Sequence, residues 1–309
     1  MKKISKRFKP SLLKASHPTS YFKVLNVAKR TNPLNDRQMA DVNKAMHLTQ
    51  NARSQFSLPI FKDMNSGRPD LIGTGFVIDF HGCFYFVTAA HVMDHHEYEQ
   101  PLFYFTNQIN RQHIQGSFRT SSQDVANRNN DQVDLTVVKL PAGKGCPDES
   151  IQKSAIPLDL ITRDTSKIGD CRLILSGYPL TKYKPDENKK LLNTVCYTWM
   201  GKSISDETYR RFKFEKNQNL LIQFERKNTM GLDGLKGMMF PEPRGVSGSP
   251  VWHTIGYRNE ERILVIEGFL LAGVLIEHIR EGKFFLATSI DTVMEMVIDL
   301  HLSQDEVDD

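Results

Sequence analysis

Three short stretches hold side chains suited to nucleophilic chemistry. In "GVSGSP", Gly245 to Pro250, the hydroxyl of Ser247 stands between glycines. Gly245 has no Cβ, so a carbonyl group can come close to its N–H. The N–H of Ser247 supplies a second donor, and two converging donors make an oxyanion site. A serine alone is a weak nucleophile and needs a base. "FYFVTAAHVM" offers one, placing His91 directly after a strand-like run and the small residues Thr88, Ala89 and Ala90. "DQVDLTVVKLP" sets Asp134 at the mouth of an apolar run. A carboxylate there is costly to desolvate unless it gains a partner, and an imidazole N–H would be one. The plainer alternatives are a structural histidine and a strand-end aspartate capping a turn, with Asp131 as the fallback carboxylate. Taken together the three imply acyl transfer: Ser247 as nucleophile, His91 as base and Asp134 as its orienting acid.

Such residues must be delivered to one place by elements far apart in the chain. From about residue 56 the sequence breaks into short runs rich in Val, Ile, Phe, Tyr and Thr, such as "GTGFVIDF", "CFYFVTAA", "DLTVVKL", "CRLILSGYP" and "KFFLATSI". Runs of that kind, divided by turns, predict strands. Helical spacing returns only in "IDTVMEMVIDLHL". Crossover helices for a parallel sheet are missing, so the chain is expected to be an all-β sandwich or barrel. Before residue 56, Met39, Val42, Ala45 and Met46 follow an Asn35-Asp36 start signal and predict a helix packed on the main domain, or an arm for a partner. The expected organisation is a basic, partly helical extension over 1–55, then two β units over 56–160 and 161–292. The first holds His91 and Asp134 and the second Ser247; a C-terminal helix and acidic tail over 293–309 close the chain.

Composition narrows the function classes. The chain has 309 residues, enough for one large or two modest cores, and 39% are hydrophobic against 25% charged, as in globular proteins. The longest apolar run, Phe269 to Ile276, is far below the roughly 20 residues that span a bilayer, so no membrane association is expected. Six basic residues fall among the first fourteen, yet no apolar stretch follows as in a secretory signal, so a cytoplasmic location is expected. Cys83, Cys146, Cys171 and Cys196 show no metal-ligand spacing and read as thiols in a reducing compartment. Neither a metal nor an organic cofactor is expected. A net charge of +4 argues against a dedicated polyanion binder. Lys2, Lys3, Lys6, Arg7 and Lys9 read as a solvated end rather than a nucleic-acid site. "GKS" at Gly201 to Ser203 is no phosphate loop, because Cys196 stands where its first glycine belongs.

The chain order His, Asp, Ser is that of the chymotrypsin arrangement and not of subtilisin or the α/β-hydrolases. "GTGFVIDFHGCFYFVTAAHV", "DLTVVKL", "IGDCRLILSGYP" and "GVSGSPVW" resemble the blocks of trypsin-like serine proteases. The resemblance is strongest to the HtrA/Deg branch around Gly169 to Pro179, over roughly residues 71–180 and 244–292. It implies two six-stranded antiparallel Greek-key β-barrels with the active site between them, and protein or peptide substrates. It implies an oxyanion hole from Gly245 and Ser247. It also implies a pocket for the residue before the cut bond (the P1 residue) at Pro241, Glu242 and the strand near Gly273. Glu242 there would favour a basic side chain, unless it points to solvent. Val92 replaces the cysteine of extracellular trypsins, and Val246 replaces the aspartate that pairs with a trimmed N-terminus. Another device must therefore order the oxyanion loop. About 17 residues follow Thr292, too few for the PDZ domain of the HtrA proteins. Gly231, Gly234 and Gly237 predict a reorderable loop set by a regulatory protein partner, as in effectors of some stress and antiphage systems. The alternative is a catalytically silent fold serving as a protein-binding scaffold.

Overall fold

The computed structural model describes residues 21–24, 55–64, 68–106, 110–142, 147–161, 172–186, 191–226, 229–231, 236–258, 260 and 264–305. The expected helix near residues 35–48, the basic head, Gly234, Cys146 and Cys171 lie outside them.

The strand-forming runs become strands, and their pairing follows from local chemistry. Pro69–Phe80 and Cys83–Ala89 form a hairpin through His81 and Gly82, with φ of 53° and 80°. Positive φ at both turn residues matches the right-handed twist of the flanking strands. Side chains alternate sides along a strand. Phe76, Ile78 and Phe80 enter a core shared with Trp252, Leu271 and Val293. Val77 joins a second core with Ile60, Phe86 and Tyr104. Both faces of the hairpin are thus buried, each large side chain contributing about 1.5–3 kcal/mol. The sheet built on it runs, in order, Asn110–His113, Phe103–Thr106, Leu58–Asp63, Pro69–Phe80, Cys83–Ala89, Leu135–Lys139 and Ser117–Thr120.

The second sheet runs Asn219–Gln223, Phe284–Ser289, Leu264–Ile279, Pro250–Arg258, Leu173–Gly177 and Tyr197–Gly201. Tyr21–Val24, Thr229–Gly231 and Lys236–Met238 extend its far edge. Gly231 and Gly237 of the expected reorderable loop thus lie in paired strands. Apart from the Tyr21–Val24 pairing with Tyr197–Gly201, the named strands pair antiparallel. Among the described residues the chain is mostly β, built on two large, almost wholly antiparallel sheets of seven and nine strands.

The helix Ile290–Asp305 starts three residues before the expected 293. It buries Ile290, Val293, Met294, Val297 and Leu300 at helical spacing against the core between the sheets. No described helix is long and apolar enough to cross a membrane.

Candidate active site

Asp134 sits just before the strand Leu135–Lys139, is only 6% exposed, and holds φ at 40°. That left-handed backbone is unusual away from glycine but tolerated by aspartate. It turns three acceptors toward the chain around His91. The Asp134 carbonyl accepts the Ala90 N–H at 2.8 Å, and Oδ1 accepts the His91 N–H at 2.9 Å. Oδ2 lies 2.5 Å from His91 Nδ1. His91 begins the one-turn helix Ala90–Met93, directly after the strand Cys83–Ala89. Thr88, Ala89 and Ala90 are fully buried, as their small size allows. An ionised carboxylate only accepts, so Nδ1 carries the proton and Nε2 keeps a free lone pair.

The pair is itself held. Arg128, 9% exposed, donates from Nε and Nη2 to Asp94 at 2.9 Å each, and from Nη1 to Asp131 at 3.2 Å and Ser122 O at 2.7 Å. Asp94 caps the helix that carries His91. Asp131 accepts from the Ser121 hydroxyl at 2.5 Å, from the Val133 N–H at 3.0 Å and from the backbone of Asp134. Burial pushes the Asp131 carboxyl up, but these bonds outweigh it and leave it below its ordinary value. Asp131, the fallback acid, therefore braces the Asp134 turn and does not bond to the imidazole.

Ser247 follows a turn anchored on all sides. Val246 N–H donates to Pro243 O at 3.2 Å and Ser249 N–H to Val246 O at 3.1 Å. Leu180 N–H donates to Arg244 O at 2.8 Å. In a trans peptide the C=O and N–H point opposite ways, so this bond turns the Gly245 N–H away from Leu180. The glycine is required for a second reason besides access. Its φ is 88°, and a Cβ would lie 2.8 Å from Tyr178 O and 2.9 Å from Leu180 Cγ. Val246, 2% exposed, belongs to an apolar core with Trp199, Phe240 and Val251. Apolar burial thus anchors the residue just before Ser247.

The sequence reading overlooked Thr74, which carries much of this anchoring. It is fully buried in the first sheet. Its hydroxyl donates to Gly245 O at 2.8 Å and accepts the Tyr178 N–H at 3.1 Å. Its N–H donates to Ser247 O at 2.9 Å, and its carbonyl accepts from the Thr88 hydroxyl at 2.7 Å. One residue therefore joins the sheet bearing His91 to the turn bearing Ser247. The only outward signal was its place in "GTG", where flanking glycines admit close neighbours.

His91, Asp134 and Ser247 line one cleft of about 420 Å³ with Arg128, Asp131, Glu242, Pro243, Arg244, Ile276, Glu277, His278 and Arg280. No hydrogen bond joins the Ser247 hydroxyl to His91 among the described residues. Glu242 reaches this cleft but is already paired, with Arg226 at 2.8 Å and Arg280 at 2.9 Å. Pro241 is buried and does not line it. Gly273 lies within the sheet, opposite Val251 and Ser289. The cleft residues of that strand are three to five positions further on. The register slips between Leu275 and Glu277, and this bulge re-aims Glu277 and His278. Loss of hydration and then the Asp134 charge raise the Glu277 carboxyl above its ordinary value, while His91 opposes them. Among the described residues no cluster of His, Cys, Asp and Glu could hold a metal ion.

Two mostly antiparallel sheets thus bring a serine, a histidine and an aspartate to one cleft. No protein-family model and no curated protein matches the sequence. Among solved structures, the VesB protease of Vibrio cholerae is similar at 14% identity and a TM-score of 0.46, over 79% of this chain and 63% of that one. The serine protease domain of the Sesbania mosaic virus polyprotein is similar at 11% identity and a TM-score of 0.37, over 76% and 89%. A Glu endopeptidase is similar at 13% identity and a TM-score of 0.38, over 75% and 84%. At these identities and TM-scores the likenesses say nothing of activity.

Proposed function

We propose that the chain is a serine endopeptidase acting through His91, Asp134 and Ser247. The observation that carries this is the His91–Asp134 pair, joined through Nδ1 and through the backbone, in one cleft with Ser247. His91 Nε2 takes the Ser247 proton as Oγ attacks the carbonyl carbon, then returns it to the leaving amine. Asp134 holds the ring in the required tautomer and stabilises its charged form. The Gly245 and Ser247 N–H groups receive the oxyanion, each contributing about 3–4 kcal/mol. Water then repeats the steps on the acyl-enzyme. Proton transfer needs a serine–histidine hydrogen bond, and such bonds are often long before substrate binds.

The Ser247 turn is anchored by Thr74, Leu180 and Pro243, and the reading is tested first on the isolated protein. An enzyme switched on by a partner, as in stress or antiphage effectors, would label only when that partner is added. The test is reaction of the purified chain with an alkyl fluorophosphonate, with the adduct mapped by mass spectrometry. Labelling at Ser247, abolished in Ser247→Ala and in His91→Ala, is expected. A folded wild-type chain that resists the probe refutes activity of the isolated protein and leaves a binding scaffold or an enzyme that needs such a partner.

A further inference from the structure

The two walls of the cleft differ in charge. Glu277 and His278 are neighbours on an extended strand, so their side chains leave it on opposite sides. The Glu277 carboxyl faces the side of His91 and Asp134, whose charges it feels. The His278 ring instead rests edge-on against Phe224, centroids 4.9 Å apart, and tilted on Phe285 at 5.4 Å. Phe224 and Phe285 are themselves 4.0 Å apart, and both are buried. Buried aromatic rings thus form the floor beneath the His278 ring.

Around that floor stand Arg226, Arg280 and Arg244, with Glu242 between the first two. Both Glu242 oxygens are taken, Oε2 by Arg226 and Oε1 by Arg280. Arg226 is further fixed by its Nε bond to Phe240 O at 2.9 Å. Arg280 remains 70% exposed, with donors to spare. Arg244, three residues before Ser247, is exposed and forms no ion pair among the described residues. The His278 ring likewise makes no hydrogen bond among them. On this side stand three guanidinium groups and the spent Glu242, whereas Asp131, Asp134 and Glu277 line the cleft beside His91. A lysine or arginine side chain entering here meets like charge, whereas a carboxylate meets donors that lack acceptors.

Building on the endopeptidase reading, we propose that the cleft selects an acidic side chain, aspartate or glutamate, on the residue whose carbonyl is attacked. Arg244, Arg280 and His278 recognise it, and Glu242 with Arg226 positions Arg280. This reverses the basic preference that Glu242 suggested from sequence alone, because the carboxylate is consumed within the chain.

Binding can be read without turnover. Full-length Ser247→Ala protein is titrated with fluorescein-labelled peptides differing at one position, Glu, Gln or Lys, and followed by anisotropy. The Glu peptide is expected to bind about tenfold tighter than the Lys peptide, with Gln between, as two charge-assisted contacts warrant. Adding Arg280→Glu, a change on an exposed side chain, should bring Glu and Lys within about threefold or invert them. Equal or tighter binding of Lys, a preference unmoved by Arg280→Glu, or no binding of any peptide overturns the proposal. Fluorophosphonate labelling of the wild type reports the endopeptidase reading separately. Labelling without charge preference leaves that reading and removes this one. Charge preference without labelling does the reverse.

Discussion

Replacing Thr74 by valine keeps the outline of a fully buried side chain and deletes one oxygen. That oxygen makes two bonds, to Gly245 O at 2.8 Å and from the Tyr178 N–H at 3.1 Å. Each backbone group left buried without its partner costs about 1–3 kcal/mol. Gly245 and Tyr178 are both buried, so water does not readily replace the hydroxyl. The expected loss of stability for the two groups is therefore about 2–6 kcal/mol. Thr74→Ser keeps the oxygen, loses a methyl, and should lose only about 1 kcal/mol. Urea unfolding followed by tryptophan fluorescence suits the measurement, because Trp199 and Trp252 are both buried and report on the second sheet. A second readout isolates the site. Freed from Thr74, the Gly245–Val246 peptide can shift and carry the adjoining backbone donors of the proposed oxyanion site out of place. Fluorophosphonate labelling of Ser247 should then slow by up to about 100-fold while the chain is still folded. Thr74→Val within about 0.5 kcal/mol of wild type, or Thr74→Ser as damaging as Thr74→Val, would refute the assignment of Thr74 as the strut of the turn.

Arg128→Met strands the Asp94 and Asp131 carboxylates, 21% and 10% exposed, and should lower stability by about 3–5 kcal/mol in the same urea assay. Gly248→Ala places a Cβ 1.9 Å from Thr74 O at a φ of 86°, so thermal unfolding should fall by several degrees or expression should fail. Burial depresses His253 from 6.5 to about 4. The unfolded chain therefore takes up a proton that the folded chain refuses as pH falls from 6.5 to about 4. Stability contributed by the neutral imidazole is complete above that window, and about 3 kcal/mol is lost across it. The difference in stability between wild type and His253→Gln should therefore vary with pH only within that window, as urea titrations at several pH values would show.

Much of the fold could be read from local chemistry. Period-two runs such as "FVIDF" and "FYFVTA" specify strands wherever they are placed, since each face finds apolar partners. The helix of Ile290–Asp305 follows from its spacing of apolar residues. His91, Asp134 and Ser247 stood out because each adjoins such a run, with small residues before His91 and glycines around Ser247. The struts between these residues did not stand out. Thr74 lies 171 residues from the carbonyl it holds, and a threonine flanked by glycines has no local feature that names its partner. Arg128 and Asp94 are separated by 34 residues, and nothing in either stretch signals the other.

Sequence by itself determined which segments are strands and singled out three side chains as candidates for acyl transfer, because both depend on neighbours within a few positions. The tertiary structure alone decided what those side chains meet. Glu242 pairs with Arg226 and Arg280 only once three separate segments of the chain meet. The bulge between Leu275 and Glu277, a property of pairing and not of composition, moved the cleft wall from Gly273 to Ile276, Glu277 and His278. Charge compensation and register are relations between segments, so they exist only where the chain has brought those segments together.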